Sequence, residues 1–150
     1  MRIIRLLIYL LFLTSFISCR ASTDKKTSET AKNTELSYNI DLIITVYNKF
    51  VFAIDSSEAL SPEEYFTANA LKKLQDDYTF DCDNGPCYAY CALRTVAQDS
   101  KPGSDDASLI HDIRPTGDGW YTVSYSDMGW PGKTRIKVVD RKIDDYERLE

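Results

Sequence analysis

The sequence predicts an α+β fold: N-terminal helices packed on a twisted antiparallel sheet that closes into a cone. Three observations predict it. Apolar residues recur at three- and four-residue steps over residues 35–55. A helix-start signature stands at Ser61-Pro62-Glu63-Glu64. From Tyr88 onward the apolar period drops to two, interrupted by Gly-, Pro- and Asp-rich turns. A run of helices followed by a run of strands places the helices on one face of an antiparallel sheet. A twisted sheet folded over a long helix makes a cone whose mouth is a natural pocket.

The first helix carries Leu36, Ile40, Ile43, Ile44, Tyr47, Phe50, Val51 and Ile54 on its apolar stripe. The second is expected to open at Ser61, with Pro62 in its first turn and Glu64 completing a capping box. Its buried side is Tyr65, Ala68, Leu71, Leu74 and Tyr78. Tyr88–Gln98 reads as a strand, with Ala89, Cys91 and Leu93 on one face and Tyr88, Tyr90 and Arg94 on the other. Ser100–Ala107 reads as a loop. Leu109–Arg114, Trp120–Asp127, Lys133–Asp140 and Lys142–Tyr146 read as further strands, joined through Pro115–Gly119 and Gly129-Trp130-Pro131-Gly132.

The N-terminus reads as an export signal. Arg2 and Arg5 precede an almost wholly apolar run from Leu6 to Phe16, and Phe16-Ile17-Ser18-Cys19 resembles a lipobox. Residues 1–18 are then a lipoprotein signal peptide, and Cys19 becomes the lipidated N-terminus. The apolar run is about a dozen residues, short of the ~20 a spanning helix needs. Residues 20–34 are almost devoid of apolar side chains and read as a flexible tether, so 19–34 is lipidated Cys plus tether and 35–150 is the domain. Arg20 follows Cys19, with no acidic run that would suggest surface display. The expected location is the bacterial cell envelope, lipid-anchored in the outer membrane and facing the periplasm.

The full chain has 18 basic and 23 acidic residues among 150. Loss of Arg2 and Arg5 with the signal makes the remainder more acidic still, which argues against nucleic acid as a partner. Export exposes Cys82, Cys87 and Cys91 to an oxidising compartment, and three thiols allow three single disulfides. The turn-forming Asp83-Asn84-Gly85-Pro86 brings its flanks together, which favours Cys82–Cys87 and leaves Cys91 free and buried.

With the elements in this order, the chain resembles the NTF2-like (cystatin-related) superfamily, and within it small bacterial lipoproteins grouped as the domain of unknown function DUF3828. The residues that carry the resemblance are Ser61-Pro62-Glu63-Glu64-Tyr65-Phe66, Gly119-Trp120-Tyr121-Thr122-Val123, Tyr125-Ser126-Asp127-Met128-Gly129-Trp130 and Lys142-Ile143-Asp144-Asp145-Tyr146, over residues 36–149. The resemblance implies a fold better than a function, because the superfamily hosts isomerases, dehydratases, binders and immunity proteins.

No Gly-x-Ser-x-Gly elbow accompanies His111, the single histidine, which the alternation puts on the face of Leu109 and Ile113. Nothing local supports a Cys91–His111 thiolate pair. Asp81-Cys82-Asp83-Asn84-Gly85 departs from a calcium loop in register and in lacking a closing Glu, so no metal is expected. The strongest pocket candidate is Asp127. It alternates onto the face of Tyr121, Val123 and Tyr125, where loss of water penalises its charge unless a partner compensates. Arg94, Tyr47, Tyr125 and Trp130 are its expected neighbours in a ligand site, and the competing use of Asp127 is to accept backbone hydrogen bonds in a turn.

The expected function is an exported, membrane-anchored lipoprotein with a non-catalytic domain that binds a small apolar or amphipathic ligand, or a peptide, without a cofactor. The alternative is an envelope protein-interaction or immunity role. An isomerase- or dehydratase-type enzyme using Asp127 or His111 is the second alternative.

Overall fold

The computed structural model describes residues 21–54, 60–83, 85–95, 99–104 and 107–149. Residues 1–18, expected to be a signal peptide, and Cys19, expected to be lipidated, lie outside the described residues. The chain divides into one unit ending at Ser37 and a second spanning Tyr38–Glu150. In the first, the backbone from Ala21 is helical, where composition led us to expect a flexible tether. Residues 28–35 are all exposed. The Thr34 hydroxyl donates back to the Thr30 carbonyl at 3.0 Å.

The second unit holds the fold. Helix α1 (Ala21–Val46) runs into a π-helical stretch, Tyr47–Val51, in which the Phe52 N–H reaches the Tyr47 carbonyl at 2.8 Å. A 3-10 turn (Pro62–Glu64), helix α2 (Ala68–Asp76) and a second 3-10 turn (Tyr90–Leu93) follow. Four strands close the chain: β1 (Leu109–Gly117), β2 (Trp120–Asp127), β3 (Trp130–Val139) and β4 (Lys142–Leu149). They form one antiparallel meander in sequence order, so the α+β class holds. Each hairpin turns on residues at positive φ: Asp118 and Gly119, Met128 and Gly129, Asp140 and Arg141. Two-residue turns of this hand match the right-handed twist of the flanking strands. The turns sit tighter than the composition suggests, so Gly117 and the whole Trp130–Gly132 stretch are strand.

One sheet face carries the core. Tyr121, Val123, Tyr125 and Asp127 alternate inward on β2, with Thr134, Ile136 and Val138 on β3 and Ile143 and Tyr146 on β4. From α1 and its π extension come Leu42, Ile43, Val46, Tyr47 and Val51, and from α2 come Ala70, Leu71 and Leu74. The wider π turn serves two aromatic clusters. Phe50 meets Phe66 and Tyr90, with centroids 5.6 and 5.0 Å away, while Tyr47 and Phe52 meet Tyr125 at 5.5 and 5.9 Å.

Three local expectations are corrected. Helix α2 is opened by Thr67, whose hydroxyl accepts from the Ala70 N–H at 3.2 Å. Ser61 instead donates to the Glu63 carboxylate, 2.5 Å away. Between the two, Phe66 is drawn into a parallel bridge with Ile143, with Thr67 N–H to Ile143 O and Ile143 N–H to Tyr65 O each 2.8 Å, and this interrupts the helix. The Tyr88–Gln98 strand is absent among its described residues. Ala89 is tied to the end of α2 through the Leu74 carbonyl (2.9 Å), Tyr90 joins the Phe50 cluster, and the chain coils into the 3-10 turn. That turn buries Ala89 and Leu93 but rotates Cys91 outward, so Cys91 is free and exposed, not buried. In the native protein Cys91 should therefore react with a thiol reagent without denaturant, and Cys91→Ser should lower the native thiol count by one.

The Cys82–Cys87 disulfide is formed, with Cα atoms 6.1 Å apart. A loop this short restricts the unfolded chain only modestly, so replacing both cysteines by serine should cost about 2 kcal/mol in the urea midpoint.

Lys73 pins α2 to β4. Its ammonium reaches the Asp145 carboxylate at 2.6 Å and the Tyr146 carbonyl at 2.7 Å, and lies 4.4 Å from the Tyr146 ring centroid. Partial burial pushes the Asp145 carboxyl up, but the Lys73 hydrogen bond, the Tyr146 N–H and the charges of Lys73 and Lys137 outweigh it and hold it below its ordinary value of 3.8. A carboxyl depressed in the fold stabilises above its unfolded pKa and loses that contribution as the pH falls through the folded value. Lys73→Met should remove the part of the acid-side stability loss that sets in below about pH 4, read from urea midpoints at several pH values.

Candidate functional site

Tyr47, Arg94, Tyr125 and Asp127, expected to be neighbours, are brought together around the segment Leu93–Thr95. Asp127 is fully buried. Its Oδ1 accepts from Arg94 Nη1 (3.2 Å) and Ser108 Oγ (3.0 Å), and its Oδ2 accepts from Thr95 Oγ1 (3.2 Å). Ser108 Oγ in turn accepts from the Met128 N–H at 3.1 Å. The carboxylate thus bonds to side chains from two loops, and it is Ser108 that caps the turn.

A second strand of bonds lies beside the first. Tyr47 and Thr134 hydroxyls both donate to the Leu93 carbonyl, each at 2.9 Å, and the Tyr125 hydroxyl lies 3.1 Å from Thr134 Oγ1. Since Thr134 spends its proton on Leu93, Tyr125 is the donor to Thr134. Burial pushes the Tyr47 and Tyr125 phenols up, so both remain donors at neutral pH. Gly132 sits opposite Tyr125, and a Cβ there would meet the Tyr125 ring and the Thr95 methyl. The contact between these three residues is therefore tight. The two sets of bonds form a polar clamp that fastens an irregular segment to the sheet, with each buried group compensated.

Trp130 is brought to this hairpin but not into the clamp. It pairs with Asp127 in register, yet the residue is 40 % exposed, its indole N–H donates to the Asp99 carbonyl at 3.0 Å, and Lys101 lies over it. His111 is placed differently from its expected face. A bulge shifts the register between Ile110 and Asp112, so Ile110 and Ile113 face the core opposite Tyr125 and Val123. His111 is exposed, 2.5 Å from Ser126 Oγ on the solvent side of β2. Asp81 and Asp83 are exposed, and among the described residues no three His, Cys, Asp or Glu gather as a metal site.

Open space borders the clamp in two places, at Ser108 and at Thr95 with Tyr125. A groove of about 510 Å³ runs between α1 with its π extension and the edge strand β1. Its walls are Ile40, Ile44 and Ile54 on one side and Leu109, Ile110 and Ile113 on the other, with Asn48, Ser108, His111 and Asp112 as polar members. Ile54, Leu109 and Ile44 are among the most exposed aliphatic residues described, at 63 %, 41 % and 38 %. Sequence reading counted Ile44 and Ile54 in the core stripe and missed this surface. The signal was present in Ile43-Ile44, since adjacent helical positions lie about 100° apart and cannot both face the sheet. A second hollow of about 490 Å³ is lined by Thr95, Tyr125 and Gly132 of the clamp together with Ser124, Lys133 and Arg148, and His111 lines it as well as the groove.

No helix among the described residues is long and apolar enough to cross a membrane. No family model, curated protein or solved structure matches the chain.

Proposed function

We propose that this chain is an exported, membrane-anchored lipoprotein whose domain, of the NTF2-like kind, binds a small apolar or amphipathic ligand without chemistry. The observation that carries the reading is the groove between α1 and β1, of a volume within the ~300–1,000 Å³ usual for small-molecule sites and walled by six aliphatic side chains. In the NTF2-like reading this groove is the mouth of the cone. The enzymatic alternative draws no support from Asp127, which is sealed from solvent with both oxygens occupied, or from His111, whose hydrogen-bond partner among the described residues is the Ser126 hydroxyl. The protein-interaction alternative has one observation in its favour. Strand β1 is the outer strand of the sheet, whereas the β4 edge is met by Phe66.

The test uses the neutral fluorophore N-phenyl-1-naphthylamine with the purified protein. Saturable uptake with about one site per chain, abolished by Ile44→Asp or Leu109→Asp, is the expected result. Absence of uptake, or uptake indifferent to both substitutions, would remove the ligand-binding reading. The anchor is tested separately by labelling cells with radioactive palmitate. Label on this chain that is lost in Cys19→Ala is expected, and an unlabelled parent chain would overturn the lipoprotein assignment.

A further inference from the structure

We infer that the open edge of β1 pairs with the β1 of a second copy of this chain, and that this second copy covers the open side of the groove. The inference goes beyond the ligand-binding reading and needs no ligand. Five consecutive residues, Leu109–Ile113, line the groove. Side chains alternate along a strand, so a wall made of side chains alone would use every second position. Consecutive lining means that the groove meets β1 along its backbone edge. Among the described residues no backbone bond from outside the sheet reaches this strand, whereas β4 is engaged at Ile143 by Tyr65 and Thr67.

The turns assign the free backbone groups. Asp127 and Trp130 flank a two-residue turn and exchange bonds across it, and a residue in an antiparallel ladder gives both its groups to one side. Alternation then directs Thr122 and Ser124 to β1, where Arg114 and Asp112 face them. Ile113, between these two, lies opposite Val123, which gives its groups to β3. The N–H and C=O of Ile113 therefore point out of the sheet. Two copies related by a two-fold axis at Ile113 bond through these groups, Ile113 with the partner's Ile113.

The charges select this register. Asp112 and Arg114 project from the solvent face on either side of Ile113 and form an ion pair at 2.5 Å. A two-fold axis at Ile113 sets each Asp112 opposite the partner's Arg114, and the four groups become an alternating network. An axis at Asp112 or at Arg114 sets like charges opposite each other. On the core-facing side, Ile113 meets the partner's Ile113, and the row Ile40, Ile44 and Ile54 faces the same row of the partner across the seam. Ile44 and Ile54 are exposed in the single chain, and covering them drives association. The backbone pairing is short, because a register shift lies on each side of Asp112–Pro115 and Pro115 has no N–H to give. The dimer is accordingly reversible, with dissociation on the order of micromolar.

The experiment is sedimentation velocity at low salt on the purified protein carrying Cys91→Ser, which excludes a disulfide through that thiol. Across about 1 to 100 μM the protein should pass from one copy to two. Asp112→Arg and Arg114→Asp should each weaken self-association roughly tenfold or more. An equimolar mixture of these two variants should regain a dimer containing one of each, and the chain carrying both substitutions should regain self-association. Neither rescue is open to a variant that has merely lost its fold. Register is read by Ile113→Cys, which mild oxidation should cross-link to the partner, whereas Leu109→Cys, set opposite the partner's Gly117, should stay uncross-linked. One species at every concentration would overturn the inference and leave the edge to an extended peptide or to the small ligand alone. A dimer indifferent to both charge reversals would overturn it too, since another face would then hold the copies together. Uptake of N-phenyl-1-naphthylamine by a protein that stays single would sink this inference and spare the ligand-binding reading, and a dimer without uptake would do the reverse.

Discussion

Asp127→Ala should cost about 3 kcal/mol, and Arg94→Met nearly as much, with the double variant far less destabilised than the two together. The asymmetry comes from burial. Asp127 is fully inside, so removing Arg94, whose side chain is 29 % exposed, strands a carboxylate that only two hydroxyls still serve. Removing Asp127 instead strands Thr95 and Ser108, and Ser108 also holds the Met128 N–H of the β2–β3 turn. Once either partner is gone, the second loss removes little further. A coupling energy of about 1.5 kcal/mol or more, measured from urea midpoints across the cycle, is therefore expected. Asp127→Asn keeps an acceptor oxygen within reach of the hydroxyls and should fall between the parent and Asp127→Ala. The same series separates a clamp from a binding site. Asp127→Asn should leave uptake of N-phenyl-1-naphthylamine unchanged, because no wall of the groove is formed by Asp127. Loss of uptake in a variant of undiminished stability would return Asp127 to the ligand site.

What could be read from the residues alone follows from the range of the interaction that decides each element. Strand β2 was legible down to each buried position, because its alternation and its flanking turns are local. The disulfide was legible because Asp83–Pro86 is a turn whatever surrounds it. Segment 88–94 was not, since alternating Tyr, Ala, Cys and Leu mimic a strand. Its true shape is imposed by Phe50, Phe66 and the Leu74 carbonyl, all distant in sequence. Thr67 was passed over as a cap for a similar reason. Both Ser61 and Thr67 precede helix-compatible residues, and only the bridge from Phe66 to Ile143 selects the second. Asp127 with Arg94, Tyr47 and Tyr125 was found as a cluster, but periodicity registers which side is buried, not that its polar groups bond to one another. The groove escaped because its walls are ordinary aliphatics, distinguished from core only by the bulge at His111 and the π turn after Val46.

The two glycines of the β1–β2 turn should respond differently to the same change. Gly117→Ala should cost about 1 kcal/mol and Gly119→Ala about 3 kcal/mol. Both have positive φ, +97° and +77°, so either alanine carries the strain of a conformation that L residues rarely adopt. At Gly117 a Cβ would meet nothing within 4 Å. At Gly119 it would lie 2.7 Å from the Val138 carbonyl oxygen, which is backbone of the neighbouring strand and cannot swing aside as a side chain does. Relief requires β3 to move, yet the Val138 N–H donates to the Gly119 carbonyl at 2.8 Å and is lost if it does. The difference between the variants thus isolates the steric part, and equal losses would mean that strain alone accounts for both. The consequence reaches the groove, because this turn sets the pairing of β1 on β2 and β1 supplies Leu109, Ile110 and Ile113 to its wall. Gly119→Ala should therefore weaken N-phenyl-1-naphthylamine uptake at temperatures where the protein is still folded, while Gly117→Ala should not. Unaltered uptake in a destabilised Gly119→Ala variant would mean that the wall of the groove is held by α1 and not by the register of β1.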